Sequence, residues 1–154
     1  MADPTALSEV FDLFMQTVTD YRLIALFNSS EADFEDYLEA WLIMSISEFS
    51  DICDQDLSYD STDKEFTVVL STQNKTVLAT LMMKYWLQKN INDVTQMNLH
   101  VQDRDFKVPS EAVNLREKRT AFLHVQEQCS QLLQDYAYKR VDWNDWFAQD
   151  FAGG

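Results

Sequence analysis

Apolar residues at Leu7, Val10, Phe11, Phe14, Val18, Tyr21 and Ala25 recur three or four apart, the period of a helix with one buried face. Asp3-Pro4 offers a capping residue and a proline at the first helical position, so a first helix is expected from about Thr5 to Phe27. Asn28-Ser29-Ser30 ends it. Ser30 with Asp33 three residues later resembles a capping box in which the acid is Asp, and a second helix follows that buries Phe34, Tyr37, Leu38, Trp41, Leu42 and Ser45. From Glu48 to Glu65 the period lapses and acidic residues accumulate, which predicts a solvated loop. Phe66-Thr67-Val68-Val69-Leu70 is β-prone but short, and suits either an extended connector or one edge strand.

Ser71 or Thr72 then caps a third helix that carries Val77, Leu78, Leu81, Met82, Tyr85 and Trp86 on one stripe, with Lys75, Lys84 and Lys89 elsewhere, and ends near Asn90. A short fourth helix is expected from Val94 to Val101. Asp103-Arg104-Asp105-Phe106-Lys107 leads to Pro109, and Ser110 caps the last helix. Its residues Leu115, Lys118, Phe122, Val125, Cys129, Leu132 and Tyr136 alternate by three and four, a coiled-coil-like seam that can lie along a bundle or along a neighbouring subunit. From Lys139 the pattern changes again. The fold class expected is all-α: a bundle of four to five helices with an acidic loop, a short extended segment and an extended C-terminal arm, divided as 1–138 for the bundle and 139–154 for the arm.

Composition narrows the function classes. A chain of 154 residues with 46% hydrophobic and 13% aromatic residues suits one domain with enough apolar surface to fold. Twelve Lys and Arg against 26 Asp and Glu give a net charge of −14, which repels phosphate, so free nucleic acid is not an expected ligand. No apolar run approaches the ~20 residues of a membrane span, and the first residues lack a signal-peptide pattern, so an intracellular origin and no membrane partner are expected. Cys53 and Cys129 form no disulfide framework; both are expected to be reduced, with Cys129 in the core. The only glycines are Gly153 and Gly154, so the chain has none of the internal glycines on which phosphate loops, dinucleotide turns and nucleophile elbows are built.

Candidate chemistry is sparse. Asp54, Asp56, Ser58, Asp60, Thr62 and Glu65 occupy positions one, three, five, seven, nine and twelve of a calcium-loop frame, but Tyr59 stands where the tight turn needs glycine and Ser61 where an apolar residue belongs. A solvated acidic loop is the expectation. His100 and His124 have no nearby carboxylate or cysteine at ligand spacing, so no catalytic, cofactor-binding or metal-ligating residue is named and no enzyme activity is expected. Arg104, Lys107, Arg116, Lys118, Arg119, Lys139 and Arg140 are expected to make ion pairs or solvate helix faces. The arm is the exception. Trp143, Trp146, Phe147 and Phe151, rimmed by Asp142, Asp145 and Asp150, have the composition of a peptide anchor for a partner's groove, while folding back over their own bundle is the other course open to them.

From Phe66 to Tyr138 the order of features is an extended Phe66–Leu70 and a Ser71 cap, then Leu78-Ala79-Thr80-Leu81-Met82-Met83-Lys84-Tyr85-Trp86-Leu87. A short helix, Phe106, Ser110-Glu111-Ala112-Val113-Asn114-Leu115 and Leu132-Leu133-Gln134-Asp135-Tyr136-Ala137-Tyr138 follow. This resembles the head-tail connector (adaptor, or head-completion) proteins of tailed bacteriophages that infect Gram-positive bacteria. The resemblance reaches back more loosely to Trp41, about two thirds of the chain, and is a pattern of apolar and aromatic positions. It implies a helical bundle assembled as a homo-oligomeric ring, twelve-fold, in the virion neck between the portal protein and the next neck or tail-completion protein, after synthesis in the host cytoplasm. It also implies no enzyme activity, an arm that engages the portal through Trp143, Trp146, Phe147 and Phe151, and an acidic channel wall past which DNA slides without specific binding. A monomeric acidic interaction module, chaperone-like or regulatory, is the alternative from another class, and a calcium-binding protein using the Asp54–Glu65 loop is a third.

Overall fold

The computed structural model describes residues 3–101 and 109–141. Its elements run α1 (Leu7–Thr17), α2 (Tyr21–Ser29), α3 (Glu31–Phe49), β1 (Tyr59–Asp60), β2 (Glu65–Phe66), α4 (Thr72–Val101) and α5 (Pro109–Tyr138). The fold is an all-α bundle with one two-residue antiparallel hairpin, in which Tyr59 faces Phe66 and Asp60 faces Glu65. No helix among the described residues is long and apolar enough to cross a membrane.

The single first helix expected from the apolar period is two helices. The β-branched run Thr17-Val18-Thr19 disfavours helical side-chain packing. Thr17 turns its hydroxyl back to the Phe14 carbonyl at 2.8 Å, and Val18 is extended at φ −118°, ψ 120°. Asp20 then caps α2 by accepting the Arg22 N–H at 2.8 Å. The restart rotates the buried stripe, so Leu23 is buried while Tyr21 is 82% exposed and Ala25 faces solvent. Asp3-Pro4 is not the cap of α1 either. Thr5 ahead of α1 pairs with the end of β2 and the connector after it, through Phe66 N–H to the Thr5 carbonyl (2.8 Å) and Thr5 N–H to the Val68 carbonyl (3.3 Å).

Ser30 caps α3 as expected, accepting the Asp33 N–H at 3.2 Å. The helix runs on to Phe49, which is fully buried, so Glu48 belongs to α3 and not to the loop. Phe34, Leu38, Leu42 and Ser45 are buried on the same face; Tyr37 and Trp41 are half-buried, edge to face at 5.9 Å. The β-prone Phe66–Leu70 supplies only its first residue to a strand and continues as the connector to α4.

Ser71 accepts the Asn74 N–H at 3.2 Å and starts α4. The expected third and fourth helices are one continuous helix to Val101. Asn90 does not end it, because its side-chain amide donates back to the Trp86 carbonyl at 2.9 Å along the helix. The Lys89–Asp93 pair at 3.0 Å and Thr95 on the Ile91 carbonyl support the turns that follow. Val77, Leu78, Leu81 and Met82 are completely buried. The seam of α5 packs on α4: Val125, Cys129 and Tyr136 are buried, and Leu115, Lys118, Phe122 and Leu132 half-buried. Ser110 lies inside the first turn of α5, with Pro109 as the first helical residue. The expected approach through Asp103–Lys107 lies outside the described residues.

Leu81 is 0% exposed at the centre of this packing. Leu81→Ala is expected to lower unfolding free energy by ~2 to 5 kcal/mol, read as a fall in the urea midpoint at unchanged slope.

Candidate functional site

Trp143, Trp146, Phe147 and Phe151 lie outside the described residues, and the structure describes the chain up to Val141, the base from which the arm departs. That base is a clasp between the end of α5 and the turn after α3. Tyr136, 4% exposed, sets its ring edge-on to Phe49 with centroids 5.0 Å apart. Its hydroxyl donates to the Asp54 carboxylate and accepts the Asp54 N–H at 3.1 Å, with the Cys53 Sγ at 3.8 Å. Asn74 of α4 donates to Asp54 at 3.0 Å and to the Gln55 side chain at 2.7 Å, so three segments close on one carboxylate. Arg140 completes the clasp. Its guanidinium donates to the Ile52 carbonyl and lies over the Tyr136 ring, 5.9 Å from the centroid.

The bonds from Asn74 and then Tyr136 hold the Asp54 carboxyl below its ordinary value of 3.8. Burial, helped by the bond to Asp54, pushes the Tyr136 hydroxyl up from 10.0 to about 12. Nothing in the period of α5 separates Tyr136 from an ordinary seam residue; the only signal is a tyrosine closing a largely apolar stripe, since a buried phenol needs a polar partner.

The calcium-frame residues are committed elsewhere. Asp54 is in the clasp, Asp56 caps Ser58 through N–H (2.9 Å) and hydroxyl (2.6 Å), and Asp60 accepts the N–H groups of Thr62 (2.6 Å) and Asp63 (3.2 Å). Glu65 sits across the hairpin from Asp60. Among the described residues no three His, Cys, Asp or Glu side chains are grouped so as to hold a metal ion. His124 is exposed, and the side chain of His100 lies outside the described ones.

Two buried-edge networks were not visible in the sequence. Glu39, buried on α3, accepts from Lys64 (2.5 Å), Tyr59 (3.1 Å) and Ser61 (3.2 Å), and Lys64 also reaches Asp36 at 2.7 Å. Burial alone raises the Glu39 carboxyl, but its three donors outweigh that and hold it low. Glu48 accepts from Tyr85 at 2.5 Å and from Lys84. Burial takes the nearby Cys129 thiol up to about 11, so it stays protonated at neutral pH. Every shift resolved among the described groups runs the same way: carboxyls down, phenols, thiol and lysine up.

Charge is unevenly divided along the chain. Residues 1–65 hold 16 of the 26 acidic side chains and two of the twelve basic ones, Arg22 and Lys64; that difference equals the whole net charge of −14. The five cations up to residue 89 are all paired: Arg22 with Asp20, Lys64 with Asp36 and Glu39, Lys75 with Glu9, Lys84 with Glu48 and Lys89 with Asp93. Arg116 and Arg119 face solvent on α5, whereas Arg104 and Lys107 lie outside the described residues.

No family model, curated protein or solved structure matches the chain. The reading of its role therefore rests on its own residues.

Tyr136→Phe tests the clasp. It is expected to cost about 1.5 to 3 kcal/mol at pH 7, the range for a hydrogen bond to a charged acceptor. Asp54, with its lowered pKa, contributes stability that is present above pH 3.8 and lost as pH falls below it. Tyr136, with its raised pKa, contributes stability that is present below pH 10 and lost as pH rises towards about 12. Urea midpoints of the wild type and variant should therefore differ most between these limits and converge at both ends.

Proposed function

We propose that the chain is a head-tail connector of a tailed bacteriophage: a structural virion protein that forms a ring in the neck, between the portal and the next neck or tail component. The observation that carries this reading is the residue pattern from Phe66 to Tyr138, whose described residues run from the end of β2 through α4 and α5, while Phe106 lies outside them. The all-α bundle agrees with it. The crowding of negative charge into residues 1–65 suits a channel wall that DNA passes without sticking. The direction of every resolved pKa shift, away from neutrality, suits a structural role better than acid–base chemistry, which needs groups tuned towards the working pH.

The clasp gives the arm its place in this proposal. Tyr136, Asp54 and Arg140 fix the end of α5 on the bundle, so a partner gripping the residues beyond Val141 pulls on the folded body and not on a fraying helix end. Trp143, Trp146, Phe147 and Phe151 are then the groups that engage the portal. The same concentration of carboxylates also suits a monomeric module that imitates nucleic acid and occupies a basic partner, and mass distinguishes the two.

Electron microscopy of the protein mixed with portal is expected to show a ring stacked on the portal ring. Truncation after Val141 is expected to leave the urea midpoint unchanged and to abolish attachment. A truncated chain that still joins heads to tails removes the arm from this role, and a monomer that never adds to portal removes the connector reading.

A further inference from the structure

We propose that a cleft of about 240 Å³ between the start of α2, the middle of α4 and the first half of α5 is a docking site for the C-terminal arm of a second copy of this chain. Trp86, Leu87 and Ile91 supply its apolar lining. Trp86 is held edge-on by Phe14, centroids 6.2 Å apart, so the lining is formed before any ligand arrives. Lys118 of α5 and Arg22 of α2 bring positive charge to the same cleft. Arg22 shares its charge with Asp20 at 3.5 Å and bonds Asn90 at 3.4 Å; its side chain is still 82% exposed. Lys118 makes no ion pair with the described residues, unlike Lys64, Lys75, Lys84 and Lys89.

The arm has the complementary chemistry. It reads Asp142-Trp143-Asn144-Asp145-Trp146-Phe147, so each indole follows directly on a carboxylate. An apolar ring with an adjacent anion fits an apolar cleft edged by two cations, Lys118 and Arg22, and one carboxylate, Asp20. Outside the cleft, residues 1–65 hold 15 carboxylates, which repel the same aspartates.

Chain length decides between the molecule's own arm and another's. Lys118 lies twenty residues before Tyr138 on α5, about 30 Å at the helical rise. The backbone stays tightly turned through Val141, whose N–H bonds the Tyr138 carbonyl at 3.2 Å. From there Trp143, Trp146 and Phe147 reach at most about 7, 18 and 22 Å along a fully extended chain. Trp143 and Trp146, which carry the adjoining carboxylates, cannot return to their own cleft, so an arm that seats its indoles there comes from a second copy. The contact is head-to-tail, the kind that propagates or closes into rings. On the connector reading, the portal and the cleft compete for one arm; the inference itself needs only the cleft and the arm.

Sedimentation velocity on the full chain is expected to show concentration-dependent self-association that weakens with salt and is reversed by excess synthetic peptide of residues 141–154. Lys118→Glu should weaken it about tenfold or more at an unchanged urea midpoint, since a repulsive charge replaces an attractive one in the contact. Should that variant fail to fold, Arg22→Glu, at a side chain standing in solvent, should give the same loss. A chain that stays monomeric at every concentration, or associates equally well with the reversed charge and with peptide present, overturns the inference. Attachment of Lys118→Glu to portal is read separately: its retention leaves the connector proposal standing whatever the cleft does.

Discussion

Removal of apolar surface from water by α4 is the interaction on which the rest of the structure depends. Helices α1, α3 and α5 each make their principal helix contact with it. Val77, Leu78, Leu81 and Met82 sit at i, i+1, i+4 and i+5, a stripe broad enough to face helices on two sides at once. Each such side chain contributes ~1.5 to 3 kcal/mol by burial, and α1, α3 and α5 bury their own apolar faces against this same stripe. Its polar residues close the edges: Lys84 and Tyr85 both meet Glu48 of α3, and Cys129 of α5 comes within 3.7 Å of the Thr80 carbonyl.

A second constraint acts at the acidic end, where one cation has to serve several elements. Lys64 takes a left-handed backbone conformation, φ 56°, which costs a residue with a Cβ about 1 to 2 kcal/mol. Two things offset this. Its carbonyl accepts the Leu7 N–H at 2.9 Å, satisfying a donor at the start of α1 that has no side-chain cap. Its ammonium meets Asp36 and Glu39, which joins the hairpin to α3 and leaves Glu39 fully hydrogen-bonded where it is buried. A glycine would relax the backbone and lose the ion pairs, and the chain has no internal glycine to use.

Periodicity made most of this fold legible and failed where side chains bond locally to backbone. The stripes of α3, α4 and α5 stood out because many apolar residues vote for one face. The break at Val18 did not, because Thr17 and Asp20 end and restart the helix through two single hydrogen bonds that leave the apolar spacing nearly intact. Asn90 misled in the opposite direction: a residue that favours helix ends in general here bonds back along its own helix. The hairpin was hidden because its two-residue strands are too short to alternate. At the arm's base, Tyr136 was legible as a seam residue but its bond to Asp54 was not, since 82 residues separate the two. The arm's chemistry, by contrast, is written entirely in its local sequence.

What remains after folding defines what the surface can meet. Packing uses the apolar stripes of α4 and α5, and ion pairing uses every cation up to residue 89, so 11 of the 16 carboxylates of residues 1–65 have no ion-pair partner among the described residues. Such a surface repels its own copies face to face, and salt weakens that repulsion only beyond about 8 to 10 Å. Association between copies must therefore bring unlike parts together, the acidic elements of one against something else on the next. The exposed Arg116 and Arg119, and Lys118 with no ion pair among the described residues, all lie on α5, on the balanced side of the chain. Charge alone thus favours a directional arrangement over a symmetric pairing of like faces, and a directional contact is what a closed ring requires.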